Sequence, residues 1–379
     1  MRGGDMRGRL GGGWNPARLA PLLGLLLLAA QLMPATGGAV RPVAAAHDPS
    51  RRIVAYFPLW LRNEGYDENA IDFSTVNTVA HFAVVPRADG SIAIPDWGPF
   101  PDPALIARAH AAGATIVLVV GGDDEAARAG FAVMAASAAT RDAFVVAVAA
   151  LVAANGYDGV DLDWEFPADA DDRNDLSALA TALRTALGAG KTLSVSLPAG
   201  DERGRWFDLP ALLPNFDWFG IMTYALSGAG WSDHAFHNAA LYASFDGEPS
   251  LDGAVAYYRA RGVPAAKLQP GIPFYGERFD TVSAVGQRLT GADGTAIVYA
   301  DVLQLSADGW SIYRDATAGV PLLVRSAGPG IVSYDDEESV RGKCAYVAAH
   351  GLGGVIVWRL GQDRIGADQP LLRAVHTCR

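Results

Sequence analysis

Residues 156–167 read GYDGVDLDWEFP, which sets Asp158, Asp161, Asp163 and Glu165 among Val160, Leu162, Trp164 and Phe166, side chains that otherwise belong in a core. A strand points alternate side chains to opposite faces, so Asp161, Asp163 and Glu165 share one face and Leu162, Trp164 and Phe166 the other. The apolar face suits a covering layer of helices, which leaves the acidic face looking inward. Burying neighbouring carboxylates costs on the order of several kcal/mol unless they are paired, protonated or at work, and like-charge repulsion pushes at least one pKa upward. A carboxyl group that keeps its proton near neutral pH is a general acid.

On either side of this stretch, short runs rich in Val and Ile alternate with helical patterns, the arrangement of a parallel sheet covered by helices. The apolar runs predict eight strands, at 53–57, 78–84, 115–120, 159–163, 192–197, 218–222, 268–273 and 354–358. Helices are expected at 102–112, 140–155, 175–187, 251–261 and 338–350. Eight strands suggest closure into a barrel, with an open doubly wound sheet as the other solution. In such barrels active sites lie at the C-terminal ends of the strands, and Glu165 falls where the fourth strand ends. The interval 274–337 is too long for a simple crossover. It holds β-like pieces, TAIVYADV (295–302) and PGIVSY (329–334), and reads as a small inserted subdomain.

The chain has 379 residues, half of them hydrophobic, enough for a large core. Its net charge of -11 and the absence of a basic run in its body exclude a nucleic-acid backbone as partner. At the N-terminus, Arg2, Arg7, Arg9 and Arg18 precede the apolar run LAPLLGLLLLAA (19–30) and small residues ending at Ala46. That order reads as a secretory signal peptide and leader over 1–46, because the run falls short of the roughly 20 residues of a membrane span. The chain from 47 to 379 is then expected outside the cell or in the periplasm, with no membrane in the mature protein. An uncleaved N-terminal anchor is the alternative. Export would place the two cysteines, Cys344 and Cys378, where a disulfide persists; the other outcome is two free thiols. A monomer is expected.

No His with ligand-like spacing joins the carboxylates, and the acidic run Asp169, Asp171, Asp172, Asp175 lacks the glycine-containing calcium loop, so it reads as a solvated helix N-terminus. Neither a metal nor an organic cofactor is expected. His234 and His237 read as loop residues lining a cleft, and His81, inside an apolar strand, as a core histidine. Glycoside cleavage commonly uses two carboxylates about 5–5.5 Å apart on opposite sides of the bond. Residues two apart on a strand are roughly 6.6 Å apart and lie on one side of a substrate. Asp163 is therefore badly placed to attack the face opposite Glu165, and the nucleophile has to come from elsewhere, the substrate's own N-acetyl group being one source.

The segment Asp158-Gly-Val-Asp161-Leu-Asp163-Trp-Glu165 resembles the DGxDxDxE signature of glycoside hydrolase family 18, the chitinase family. The resemblance extends through VAYFPLW (54–60), VVGGD (119–123), FGIMTYAL (219–226), KLQPGIPFYG (267–276) and the stretch from Ser333 to Asp363. It implies an α/β fold, a (β/α)8 TIM barrel with a small α+β insertion (278–334) between strands 7 and 8. It also implies substrate-assisted retention, in which Glu165 protonates the glycosidic oxygen. Asp163 would hold the acetamido N–H, Asp161 would share charge with Asp163, and Tyr224 would bind the acetamido carbonyl. Trp358 would form the floor under the sugar. Tyr56 would bond Asp161 or cap the barrel, and Met222 would pack beside the site.

Three positions depart from the family pattern. Val119 stands where Ser is common and cannot donate to the inner Asp. Asp123 replaces an aromatic that stacks on a leaving-group sugar, and Ala225 replaces the Asp that follows Tyr224. The expected substrate is a β-1,4-linked N-acetylglucosamine polymer, chitin or its oligosaccharides. The alternatives are an N-acetylglucosaminidase acting on peptidoglycan or N-glycans, and a chitin-binding lectin-like protein without catalysis.

Overall fold

The computed structural model describes residues 50–306 and 308–379; the expected leader lies outside the described residues. Parallel strands form where the apolar runs predict them: β1 (Arg52–Pro58), β2 (Thr78–Pro86), β3 (Thr115–Gly122), β4 (Gly159–Trp164), β5 (Thr192–Pro198), β6 (Trp218–Met222), β7 (Leu268–Pro273) and β8 (Gly354–Trp358). Each pairs with its neighbour in chain order, and β1 pairs with both β2 and β8, so the sheet closes into a (β/α)8 barrel and the open doubly wound alternative is excluded. Closure gives the strands two unlike surroundings. Val54, Tyr56, Phe82, Val117, Val119, Trp218 and Ile356 pack inside the barrel. Leu162, Trp164, Val195 and Phe219 face outward into the larger core between sheet and helices.

The outer layer includes α1 (Pro103–Ala111), α2 (Glu125–Ala136), α3 (Ala138–Asn155), α4 (Ala170–Leu187), α5 (Leu251–Ala260) and α6 (Glu337–Ala349). Sequence periodicity overlooks α2, which is rich in Ala and so marks its buried stripe weakly. Its buried residues Ala127, Gly130, Phe131, Met134 and Ala135 nonetheless fall at helical spacing, and the Asp124 side chain caps it by accepting from the Ala127 N–H at 2.9 Å. This helix covers the outer face of β4, where the Phe131 ring stacks on Trp164 at 5.1 Å. The fourth helix starts earlier than expected, at Ala170, because Asp169 accepts from the N–H groups of Asp171 and Asp172 and so caps it.

Between β7 and β8 stands a second, antiparallel five-stranded sheet, in the order Thr295–Val298, Tyr275–Phe279, Ile331–Ser333, Val320–Arg325, Trp310–Asp315. The piece TAIVYADV is half strand and half helix: Thr295–Val298 pairs in the sheet, and Tyr299–Leu305 turns helical with Tyr299 and Val302 buried three residues apart.

Cys344 on α6 is joined to Cys378, which follows the helix Pro370–Val375; both are buried and they are 34 residues apart in sequence. A bridge closing a loop of that size stabilises chiefly by restricting the unfolded chain, by about 4 kcal/mol. The double variant Cys344→Ala, Cys378→Ala is expected to lose roughly that much stability. Urea denaturation at neutral pH measures it; an unchanged midpoint would mean that the bridge does not form.

Candidate active site

The site grows from the registers of β4 against its two neighbours. Asp161 lies beside Val119 of β3 and Ser194 of β5, and Asp163 lies beside Gly121 of β3. Gly121 has φ +122, and a Cβ there would come within 2.0 Å of the Asp163 carbonyl oxygen. Only glycine permits that approach of strand to strand.

Asp161 is fully buried inside the barrel. Its Oδ2 accepts from the Tyr56 hydroxyl at 2.6 Å and its Oδ1 from the Ser194 hydroxyl at 2.6 Å. The donor that Val119 cannot supply therefore comes from the opposite neighbouring strand. Burial raises the Asp161 pKa and the two hydroxyls oppose the rise, leaving it at about 6. Asp163, two residues nearer the mouth, is 4% exposed, and its Oδ1 has no hydrogen-bond partner. Burial, and then the Asp161 charge, push its pKa up to about 8. Glu165 follows the end of β4 and is partly exposed at the floor of a cleft. Loss of water around it, and then the charges of Asp163 and Asp123, hold its carboxyl well above the usual range, while Arg128 opposes them. Asp161 is thus the first of the pair to ionise and Asp163 the second, while Glu165 is displaced upward by the same neighbours, so the three titrate as one interacting set.

Across the cleft, Thr223 fixes the chain at the end of β6: its Oγ1 donates to the Gly271 carbonyl at 2.8 Å and accepts from the Gly271 N–H at 2.9 Å. This aims Tyr224 over β7, where a Cβ on Gly271 would meet the Tyr224 ring at 2.4 Å. The Trp358 ring, at the end of β8, packs on Tyr56 at 5.5 Å and on Phe82 at 5.0 Å, forming an aromatic floor. Tyr56, Asp123, Asp163, Glu165, Met222, Tyr224 and Trp358 all line one cleft of about 870 Å³, together with Phe82, Arg128, Ser196, Ala225, Trp231 and Tyr275. Of the predicted site residues only Asp161 lies beneath that surface. Ala225 adopts φ +50, and its N–H donates to Asn238 Oδ1 at 3.2 Å.

Two predicted cleft residues lie elsewhere. His237 is fully buried, its Nδ1 2.6 Å from Glu248 Oε1, because a ring between Glu248 and Asp315 is held away from solvent and cleft alike. His234 pairs with the adjacent Asp233 on the surface. His81 is a core residue, 2.7 Å from the Tyr157 hydroxyl, with its pKa lowered by burial to about 4. Sequence inspection passed over Ser194 and Ser196, although TLSVSLP (192–198) carries the same two-residue alternation as DLD on the adjoining strand.

A closed parallel barrel with carboxylates gathered at the C-terminal ends of its strands is the layout of an active site in the (β/α)8 class of enzymes. Comparison with known sequences narrows that class: the profile of glycosyl hydrolases family 18 matches residues 52–363, and the chain belongs to that family. It is 34% identical over 282 residues to chitinase A1 of Niallia circulans, covering 64% of this chain and 40% of that one. It is 32% identical over 259 residues to a probable endochitinase of Caenorhabditis elegans, covering 62% and 42%. The match thus spans less than half the length of either relative. Among solved structures, the Group IV chitinase of Ostrinia furnacalis in complex with allosamidin superposes with a TM-score of 0.78 at 25% identity, covering 86% of this chain and 98% of that one.

The raised carboxyls predict an unusual dependence of stability on pH. Folded Asp163 keeps its proton up to about 8, whereas an unfolded Asp releases it near 3.8, so between those values the unfolded chain binds fewer protons. Stability contributed by protonated Asp163 is present at low pH and lost as pH rises through about 8. Asp163→Asn is expected to flatten this decline, by on the order of a few kcal/mol between pH 5 and 8. Urea midpoints of both proteins across that range provide the check, and parallel curves would contradict the placement of the proton.

Proposed function

We propose that this protein is a secreted glycoside hydrolase that cleaves β-1,4 bonds of N-acetylglucosamine polymers, chitin or chitooligosaccharides, by substrate-assisted retention. The observation that carries the proposal is the arrangement of Glu165 above Asp163 with Tyr224 across the same cleft. Glu165, holding its proton well above the usual range, is suited to protonate the glycosidic oxygen as the bond breaks. Asp163 accepts the acetamido N–H and turns the acetamido carbonyl oxygen toward C1. Attack by that oxygen displaces the leaving sugar and gives an oxazolinium, whose positive charge is balanced by the one negative charge that the Asp161–Asp163 pair carries. The Tyr224 hydroxyl donates to the same carbonyl oxygen and fixes its direction. Glu165, now a carboxylate, takes a proton from the water that opens the ring, so that C1 keeps its configuration.

Trp358, Tyr56 and Phe82 offer an apolar floor to the sugar whose bond is cut. Family membership and the likeness to chitinases support the substrate class. The Ostrinia furnacalis enzyme was solved with allosamidin in its structure, which fits a ligand bound in a cleft of this kind. Export rests on the N-terminal sequence pattern, and segment 278–334 is read as the insertion that deepens one wall of the cleft. Retention of Glu165 disfavours a purely binding role.

Glu165→Gln is expected to lower turnover of chitooligosaccharides by about 10³-fold with binding preserved. Mass spectrometry of products from chitin oligomers, peptidoglycan fragments and N-glycans assayed in parallel identifies the substrate. Hydrolysis that persists unchanged in Glu165→Gln, or wild-type binding without turnover, would overturn the assignment. Ala225→Asp adds a carboxylate to the same cleft in a left-handed conformation that Asp tolerates. It should strengthen proton binding by Glu165 and carry the basic limb of the pH–rate profile upward. An unmoved limb would separate position 225 from the acid.

A further inference from the structure

We propose that Ser196 is a positioning residue for Asp163, its hydroxyl proton directed to that carboxylate and fixing the orientation in which it meets the substrate. This rests on the assignment of Asp163 as the group that holds the acetamide.

The geometry begins with strand register. Asp161 pairs with Ser194 and Leu162 with Val195, where the pairing ends; the same register carried one step further brings Ser196 toward Asp163, whose carboxyl feels the Ser196 hydroxyl. Ser194 and Ser196 therefore form an inward ladder that matches Asp161 and Asp163 rung for rung. On the lower rung the bond is made, from Ser194 Oγ to Asp161 Oδ1 at 2.6 Å. On the upper rung Ser196 is 2% exposed and lines the cleft, and Asp163 is buried with Oδ1 unpartnered.

Counting protons decides where the Ser196 hydroxyl points. A Tyr hydroxyl has one proton to give, and Tyr56 gives it to Asp161 at 2.6 Å. The other neighbour of Tyr56 Oη is Ser196 Oγ at 3.4 Å, beyond the usual range for hydroxyl pairs. Tyr56 is thus at best a weak acceptor for Ser196. Asp163 is the stronger acceptor, because its buried Oδ1 has no partner and, once Asp163 ionises, a bond to the charged group is worth more than one to a neutral group. In keeping with this, the Ser196 hydroxyl opposes the upward push on Asp163.

The groups that face Asp163 are Asp161 and Glu165 along its own strand, Asp123 after β3, Tyr56 from β1 and Tyr224 after β6. None of them is a cation. With the Tyr56 proton committed to Asp161, Ser196 is a neutral donor left for Asp163, and its loss should let Asp163 hold its proton to higher pH.

The test compares wild type, Ser196→Ala and Ser196→Thr. In Ser196→Ala, kcat/KM should fall about tenfold, the size of one hydrogen bond to a charged group, mainly through kcat. The acid limb of its pH–rate profile should move up by about one pH unit. Ser196→Thr keeps the hydroxyl and should restore both. Ser196→Cys, similar in shape and a weak donor, should fall between Ala and wild type, and it replaces Ala if that variant does not fold. Infrared titration of the protonated-carboxyl band should follow the same order with no substrate present. It reports on Ser196 even if wild type hydrolyses none of the oligomers, a result that would defeat the proposed function instead. An acid limb and a carboxyl band unmoved in Ser196→Ala, whatever the rate, would overturn the inference. So would Ser196→Thr as impaired as Ser196→Ala at wild-type thermal stability.

Discussion

A carboxylate taken out of water has to be given a donor, a proton or a ligand, and β4 presents this demand at successive inward positions within one barrel. The lowest, Asp161, is met by donors from two other strands, the Tyr56 and Ser194 hydroxyls. Asp163 is met in the free protein largely by a proton, and Glu165, at the edge of water, is pushed the same way by loss of water and by Asp163. The ladder thus runs from a satisfied anion at the bottom to an acid at the mouth. The supply of hydroxyl donors, running against the depth of burial, gives like residues unlike tasks.

Much of the surrounding architecture follows from keeping this ladder in place. Gly121 lets β3 come against the Asp163 backbone, and Gly271 clears the space into which the Tyr224 ring turns. On the outside, Trp164 and Leu162 anchor the same strand in the hydrophobic layer, with Phe131 of α2 stacked on the indole. A strand pinned by bulky apolar side chains on one face cannot slip by a residue without exposing them and turning its carboxylates outward. The packing that stabilises the barrel and the register that builds the site are therefore the same constraint.

The three departures from the family motif take on different weights once the side chains are in place. Val119 costs Asp161 little, since Ser194 supplies the bond from the other side. Asp123 brings charge to the acid where an aromatic face is usual, and Arg128 partly offsets it. Ala225 leaves the wall beside Tyr224 without a carboxylate, and Asn238 holds its backbone. Glu165 is thus governed first by loss of water and by Asp163 of its own strand, with Asp123 and Arg128 adding smaller, opposed contributions.

How much of this was legible in the sequence depends on whether the signal is local. Strand alternation in GVDLDW, eight apolar runs at regular spacing and the motif around Glu165 determined the barrel and the acidic face, because side-chain direction along a strand is a property of the backbone alone. Helix α2 leaves little trace in the sequence because alanine carries little hydrophobic contrast, and the burial of His237 is not legible there because its partner Glu248 is brought to it by the fold of a loop. Which hydroxyl serves which carboxylate is set by register between strands, and register depends on closure of the whole sheet. So the chain by itself determined which residues would be acids on an inward face. Only the tertiary structure decided which of them keep their protons, since that is set by the hydroxyl donors that sheet closure brings to Asp161 from β1 and β5, 105 and 33 residues away, against the push of burial.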